Sequence, residues 1–263
     1  MKKIKELYNR FKIPFWTVIG VGAVFFLWWF ISFLTKTTLF PGPQVVIPKF
    51  FEVLGEQQTY SAIGGTLLRL VIAMAIGFTL GVIFGIIGGL SKEFRAFMRP
   101  IVIVFRTIPT AAVIFVIIAL LKPIFAPVII VFLMVFPMMY DSVVTGITNV
   151  DQSVTEAMKV DGTPLLKQVF KVYLPLSWSY ILLGLVSAFG LGMKISIMAE
   201  VIAGSDSAEG LGKLIRNAAN IADMDYVLAY SLIAIALIGL IDIAIYFVKR
   251  RIKKQTTKKQ RAI

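Results

Sequence analysis

The sequence contains no cysteine and no histidine, and only 16% of its 263 residues are charged. Without cysteine it can form no disulfide framework and no thiolate metal site. Without histidine it lacks a usual zinc ligand and the commonest general base. These absences argue against most hydrolase chemistry, so we expect no catalytic residue and no metal or cofactor site in this chain.

The scarcity of charge is matched by an excess of hydrophobic residues, which make up 58% of the chain. Soluble domains have about 25% charged residues, so a polytopic membrane protein is the class that fits. The formal net charge of +13 would also suit a nucleic-acid-binding protein. The basic residues lie where apolar runs end, however, which is how orientation in a membrane is set. We therefore expect a lipid bilayer, and no nucleic acid, as a partner.

Apolar runs long enough to cross a bilayer occur six times. About 20 apolar residues cross a hydrocarbon core of roughly 30 Å, and Gly, Pro and charge clusters mark the ends of such runs. The predicted spans cover residues 14–35, 61–90, 100–121, 125–147, 179–203 and 226–248. The first run lacks a small-residue cleavage site and predicts a retained helix. Residues 1–263 are therefore predicted to form one all-α transmembrane domain with six helices.

The basic residues predict the orientation of these spans. With a cytoplasmic N-terminus, the cytoplasmic side receives Lys2, Lys3, Lys5, Arg10, Lys12, Lys92, Arg95, Arg99, Lys159, Lys167, Lys171 and the tail from Lys249 to Arg261. The outer side receives only Lys36, Lys49, Lys122, Lys213 and Arg216. This asymmetry follows the positive-inside rule, so both termini are predicted to be cytoplasmic.

Two outer segments have the pattern of short amphipathic helices. Apolar residues cluster between Val45 and Leu54, and they recur at helical spacing between Leu211 and Ala219. We expect both segments to lie at the membrane interface, although ordinary surface loops packed on the bundle are the alternative.

The cytoplasmic loop over residues 149–178 interrupts the apolar chain with polar residues. Asp151 or Ser153 can cap a helix, and Gly162 followed by Pro164 can end it. A second helix is predicted from Leu165 to Tyr173. The loop is therefore predicted to be a helix, a glycine turn and a second helix that projects from the bilayer.

In this loop the sequence resembles the permeases of binding-protein-dependent ABC importers, whose cytoplasmic loop carries a Glu-Ala-Ala signature. Glu156, Ala157 and Met158 stand at the signature positions, and Gly162 stands at its glycine. The segment from Val172 to Pro175 matches the closing Ile-x-Leu-Pro. Met158 and Val172 depart mildly from the family pattern. The alternative is a solvated amphipathic loop.

The resemblance implies a type I ABC importer permease fold in a bacterial-type plasma (inner) membrane. The family's coupling helix docks on a cytoplasmic ATPase, and the residues at its positions here are Glu156, Ala157, Met158, Lys159, Asp161 and Gly162. The implied partners are two ABC ATPase subunits, which bind ATP and Mg²⁺, a second permease copy in a homodimer, and an extracytoplasmic solute-binding protein. The chain itself would transport and would not hydrolyse ATP.

Residues 39–248 resemble the nitrate, sulfonate and taurine type of permease, a branch that also includes importers of thiamine precursors. The matching segments are Phe40 to Pro43, Arg106 to Thr110, Met193 with Lys194, Ala199 with Glu200, and Gly210 to Gly212. The resemblance implies an anionic or heteroaromatic solute. A secondary transporter or channel that works without an ATPase is the alternative, but it would have no need for the signature in the loop.

Charged residues deep inside the predicted spans are Arg69, Lys194, Glu200 and Asp242, while Arg106 and Asp141 lie nearer the cytoplasmic ends of their spans. Charges at mid-bilayer cost about 2.5 to 3.5 kcal/mol on insertion scales, so these side chains should face protein or water. Lys194 is either a pathway cation that favours anions, or the partner of Glu200, Asp242 or another subunit. Arg69 has the same two interpretations, and Glu200 is expected to anchor the outer end of its span.

Glycines repeat every four residues at Gly77, Gly81 and Gly85 in the second span. Small residues allow helix backbones to approach closely within lipid. We therefore expect helices two to five to form the core of the bundle, with the glycines serving packing rather than translocation.

Overall fold

The computed structural model describes the backbone of residues 2–35, 37–204 and 209–260, and the side chains of residues 15–35, 37–158, 160–204 and 209–247. Lys36, Arg261 and the Lys159 side chain lie outside the described residues. In the described ranges the regular structure is helical and contains no β-strand. The predicted all-α fold is confirmed.

Eleven α-helices follow one another along the described chain. They are α1 (Lys2–Thr35), α2 (Pro43–Leu54), α3 (Gln57–Leu90), α4 (Lys92–Thr107), α5 (Thr110–Leu120), α6 (Ala126–Thr148), α7 (Gln152–Val160), α8 (Leu165–Gln168), α9 (Leu174–Ala203), α10 (Leu211–Asn220) and α11 (Met224–Gln260). Helices long and apolar enough to cross a bilayer cover Phe15–Thr35, Gln57–Leu90, Pro123–Thr148, Leu165–Ala203 and Met224–Phe247. These five segments correspond to five of the six predicted spans.

The remaining predicted span, over residues 100–121, is not one helix. It is divided between α4 and α5, which meet at an angle of 91°. The break falls at Ile108 and Pro109, and Ile108 has an extended ψ of 127°. Proline disfavours the helical conformation in the residue before it, which explains why α4 ends there. With 11 residues, α5 is about 16 Å long and too short to cross a bilayer alone.

The centre of the bundle is formed by α3, α6 and α9, and the glycine stripe of α3 faces α6. A β-carbon added at Gly81 would lie 2.5 Å from the Cβ of Met139. At Gly85 it would lie 2.6 Å from the Cβ of Val143. The glycines therefore set the distance between the two helices, as small residues do in membranes. Helices α4 and α5 pack at the side of this core and contribute few fully buried residues.

The second loop helix and the fifth span form one continuous helical segment from Leu165 to Ala203. A wider π-helical turn at Val169–Tyr173 joins α8 to α9, and the N–H of Leu174 donates to the carbonyl of Val169. Pro175 lies in the first turn after it, where its missing N–H can be accommodated. The predicted loop helix from Leu165 to Tyr173 and the predicted span over residues 179–203 are therefore parts of one helical segment.

The two predicted outer helices are present as α2 and α10. Each helix has a buried face, which contains Val46 and Val53 in α2 and Leu211 and Leu214 in α10. α2 packs against α11, where Lys49 Nζ lies 4.4 Å from the centre of the Tyr226 ring. Both helices thus close the same end of the bundle.

Candidate coupling loop and translocation groove

The start of α7 is fixed by Asp151. Its Oδ1 accepts hydrogen bonds from the Ser153 backbone N–H at 2.9 Å and from the Ser153 hydroxyl at 2.8 Å. The backbone bond lowers the pKa of the Asp151 carboxyl, and the hydroxyl bond lowers it further. Within the helix, Gln152 Nε2 donates to Glu156 Oε1 at 3.0 Å. The loop therefore begins with a charged cap that satisfies an otherwise unpaired N–H.

The end of α7 depends on Gly162, whose φ of 61° lies in the left-handed region. Beyond it, the Thr163 N–H donates to the Met158 carbonyl at 3.3 Å. This glycine-mediated ending is common for helices, because a residue without Cβ adopts the left-handed conformation at little cost. A β-carbon at Gly162 would meet nothing within 4 Å. The requirement for glycine is therefore one of backbone conformation and not of space.

The predicted coupling residues point in two directions. Met158 is buried and belongs to the core cluster of the bundle. Glu156, Ala157 and Asp161 are exposed. The neighbouring apolar residues Val160, Leu165, Leu166 and Phe170 are also exposed, and Val160 is 87% accessible. We call the exposed part of residues 156–170 the loop patch; its apolar character is typical of a protein interaction site.

A groove runs along one side of α9. The residues that line its inner end are Arg106, Met138, Asp141, Ser142, Thr145, Tyr180, Leu183, Gly184 and Ser187, which enclose a volume of about 360 Å³. Leu191 and Lys194 continue the same face of α9 at helical spacing and are exposed. Arg106 forms an ion pair with Asp141. The groove is therefore an open surface of mixed polarity between α6 and α9.

Lys194 makes no hydrogen bond or ion pair with the residues that the structure describes. The acidic residues expected to pair with Lys194 do not contact it: Glu200 pairs with Arg69, and Asp242 forms no salt bridge with any side chain that the structure describes. The interpretation of Lys194 as the ion-pair partner of Glu200 or Asp242 is therefore wrong within one chain. Contact with a solute or with another subunit stays a prediction.

Arg69 and Glu200 form an ion pair with each other, buried at the outer end of the bundle. Arg69 Nη2 lies 2.6 Å from Glu200 Oε1, and the two side chains are 12% and 4% exposed. The other oxygen, Oε2, accepts from the Thr66 hydroxyl at 2.8 Å and from the Gly212 N–H at 3.0 Å. Arg69 also donates to the Glu209 carbonyl at 2.5 Å. This network, the outer clamp, joins α3, α9 and the start of α10.

The sequence predicts Arg69 and Glu200 as separate charged residues, and it does not indicate that Thr66 joins them. The short Gly-Leu-Gly segment over residues 210–212 could have indicated a close backbone contact at this place. A β-carbon at Gly212 would lie 2.3 Å from the Cβ of Glu200. Glycine is needed there because the α10 backbone approaches the carboxylate closely. The geometry is that of a structural clamp, and a pathway role for either charged residue stays a prediction.

Residues 77–254 match the model of the family described as binding-protein-dependent transport system inner membrane component. The chain belongs to this family. The resemblance noted in the loop is thereby confirmed, and the protein is a permease subunit of an ABC importer.

Several named permeases match this chain over most of its length. It is 26% identical over 253 residues to the putative aliphatic sulfonates transport permease protein SsuC of Bacillus subtilis, covering 92% of this chain and 83% of that one. It is 26% identical over 247 residues to the taurine transport system permease protein TauC of Escherichia coli, covering 89% and 87%. The nitrate import permease protein NrtB of Leptolyngbya laminosa is 27% identical over 202 residues, covering 75% and 70%.

Solved structures of ABC importers share the fold of this permease. A chain of the bacterial alginate ABC transporter in complex with an alginate pentasaccharide-bound periplasmic protein has a TM-score of 0.63 and 16% identity, covering 95% of this chain and 98% of that one. A chain of the inward-facing MetNI methionine ABC transporter has a TM-score of 0.59 and 20% identity, covering 74% and 96%. The predicted type I importer permease fold is confirmed.

Proposed function

We propose that this permease couples two separate ABC ATPase subunits, which bind ATP and Mg²⁺, to the import of a small anion across a bacterial-type plasma (inner) membrane. The observation that supports coupling most directly is the loop patch, because it is exposed, apolar and continuous with a membrane-spanning helix. Its charged rim residues Glu156 and Asp161 suit charge-assisted contacts around an apolar centre. Lys159, which the family signature places in the same helix, is included in this proposal.

Two copies of the permease form a homodimer in this proposal, with their grooves facing one central pathway. A solute-binding protein docks on the outer side, and the ATPases dock on the loop patches. ATP and the loaded binding protein must both favour the outward-facing state, because a ligand shifts an equilibrium only by its differential affinity for the two states. Hydrolysis then returns the complex to the inward-facing state.

An anionic solute is favoured by the charge of the groove. Lys194 is exposed on α9 and has no partner among the described residues, so its ammonium group is available to a passing anion. The names of the relatives point to the same chemistry, since they refer to sulfonates, taurine and nitrate. A thiamine-precursor-like heteroaromatic solute is the other candidate that the family resemblance implies.

The coupling proposal is tested by a charge placed in the loop patch. Val160→Asp introduces a carboxylate at a position that is 87% exposed, so the permease should fold and lose its ATPase partners. Ile221→Asp is the matched control, since Ile221 is 75% exposed at the other end of the bundle. The measurement is vanadate-sensitive ATP hydrolysis of complexes purified through a tag on the full-length permease.

We expect hydrolysis to copurify with the wild type and the Ile221→Asp variant and to be lost with Val160→Asp. Retention of full ATPase activity and uptake by Val160→Asp would contradict the loop patch as the docking surface. Uptake that continues without any associated ATPase would favour the alternative, a secondary transporter or channel.

The solute proposal is tested by Lys194→Met, with Lys194→Arg as the charge-preserving control. Uptake of radiolabelled taurine, an alkanesulfonate and nitrate should identify the solute in the wild type. A charged hydrogen bond contributes about 1.5–3 kcal/mol, so loss of the cation should reduce uptake efficiency by roughly tenfold or more. Wild-type kinetics in an assembled Lys194→Met complex would exclude Lys194 from solute contact.

A further inference from the structure

A concentration of positive charge lies on α4, and its last member, Arg106, also lines the groove. Its basic residues are Lys92, Arg95, Arg99 and Arg106. The intervals of three, four and seven residues place all four on one face of the helix. Ser91 fixes the start of α4, because its hydroxyl accepts from the Phe94 N–H at 3.0 Å. The first three cations therefore stand at the end of the bundle that the charge asymmetry assigns to the cytoplasm.

This basic face borders a pocket with a volume of about 500 Å³. Its lining consists of Lys92, Arg95, Ala96, Arg99, Val102, Ile103, Arg106, Tyr140, Asp141 and Val144. The lining contains four cations and a single carboxylate, Asp141, which is already paired with Arg106. We call it the basic pocket. Its excess of positive charge is available to an anion.

The cations of the basic pocket are held in different ways. Arg95 donates to the carbonyls of Gly88 at 2.7 Å and Gly89 at 3.0 Å, which fixes its guanidinium at the end of α3. Lys92 and Arg99 are exposed and make no hydrogen bond or salt bridge with the described residues. Glu93, which follows Lys92 in the chain and interacts with it electrostatically, accepts a hydrogen bond from Ser91 and is not a lining residue. Lys92 and Arg99 are therefore the cations free to contact a ligand.

A buried hydroxyl lies at the back of the basic pocket. Tyr140 is only 3% exposed, and its hydroxyl has no hydrogen-bond partner among the described residues. The ring lies against Gly88, where a β-carbon would be 2.5 Å from the hydroxyl oxygen. Most buried donors in proteins are satisfied, so an unpaired donor here indicates a missing acceptor, such as an anion oxygen or an ordered water.

We propose that the basic pocket binds a phosphate-type oxyanion, supplied by the headgroup of an anionic phospholipid. Lys92 and Arg99 would contact the phosphate, with Arg95 and the Tyr140 hydroxyl behind them. Val102 and Ile103 continue the lining along α4, and Ile103 is 50% exposed, which suits an acyl chain. Basic pockets between transmembrane helices on the cytoplasmic side bind anionic headgroups in this way. This proposal does not depend on the solute or on the ATPase.

The test uses the purified full-length permease and four additives: short-chain phosphatidylglycerol, short-chain phosphatidylcholine, sodium sulfate and inorganic phosphate. Binding is measured as the concentration that gives half of the maximal thermal stabilisation. The variant is Lys92→Gln with Arg99→Gln, and the control is Lys167→Gln with Lys171→Gln, which removes the same charge from exposed sites on the cytoplasmic loop. Native mass spectrometry of each protein counts retained lipids.

We expect phosphatidylglycerol to bind about tenfold or more tightly than phosphatidylcholine. The Lys92/Arg99 variant should bind phosphatidylglycerol about 30-fold more weakly, and the control should match the wild type. A variant-sensitive response to sulfate or phosphate, with none to phosphatidylglycerol, would assign the same oxyanion site to a soluble ion. Equal binding of phosphatidylglycerol, sulfate and phosphate by the wild type and the Lys92/Arg99 variant would overturn the proposal.

Discussion

Removal of the Glu200 carboxylate should be one of the most destabilising single changes in the bundle. The two oxygens of Glu200 accept four hydrogen bonds, two from Arg69 and one each from Thr66 and Gly212. Glu200→Ala would leave Arg69 as a nearly buried cation without its counter-ion. Breaking one partner of a buried pair costs about 3–5 kcal/mol, and loss of the contact that caps α10 adds about 1 kcal/mol.

The loss can be measured as a change in melting temperature of the detergent-purified permease. For a chain of this size, 1 kcal/mol corresponds to roughly 2–4 °C, so Glu200→Ala should lower the melting temperature on the order of 10 to 20 °C. Arg69→Ala and the double variant that carries both substitutions complete a double-mutant cycle. Since the double variant leaves no unpaired charge, its loss should be clearly smaller than the sum of the two single losses.

Additive losses, within about 0.5 kcal/mol, would refute the coupling between Arg69 and Glu200 that defines the outer clamp. A Glu200→Ala protein with the wild-type melting temperature would refute the energetic argument altogether. Ser61→Ala is a useful control, because Ser61 contacts Glu209 in an exposed position next to the clamp but does not contact Glu200.

Three further changes test the bundle and the loop. Gly81→Leu should lower the melting temperature through overpacking against α6, at about 1–3 kcal/mol or more, while Gly64→Leu should be tolerated because a β-carbon at Gly64 meets nothing within 4 Å. Asp151→Ala should weaken the start of α7 and speed hydrogen exchange over residues 152–160, while Asp151→Asn keeps the cap. Because the folded pKa of Asp151 is lowered, its contribution is complete above about pH 4 and disappears as the pH falls through that lowered value, so the exchange difference should vanish in acid. Gly162→Val should destabilise the loop by about 1–2 kcal/mol, and Gly162→Asn by less, as compared by limited proteolysis.

The sequence alone was sufficient for features that depend on local composition. Five apolar runs became membrane-length helices because their apolar length outweighs isolated helix-disfavouring residues such as Pro137 in α6 and the glycines of α3. The start and end of α7 followed from Asp151 and Gly162, since capping and left-handed glycine act over only a few residues. The signature in the loop led to the family, which the match over residues 77–254 then confirmed.

Features that depend on distant or competing contacts were not predictable in this way. The break at Pro109 was not predicted, because the length of an apolar run indicates a membrane span but not whether the helix bends within it. The clamp joins residues 131 positions apart, and no periodicity relates Arg69 to Glu200. For Lys194 the sequence offered acidic partners one or two turns of helix away or on another span, and the structure gives it neither.

The continuous helical segment from Leu165 to Ala203 connects the cytoplasmic loop directly to the outer side of the bundle. Its 30-residue part, α9, is about 45 Å long. If α9 tilts as a rigid rod about the wide turn at Val169–Tyr173, a rotation of about 10° displaces its outer end by roughly 8 Å. A modest angular change imposed beneath the bilayer is thereby amplified, at the far side, into a displacement comparable with the width of a small solute.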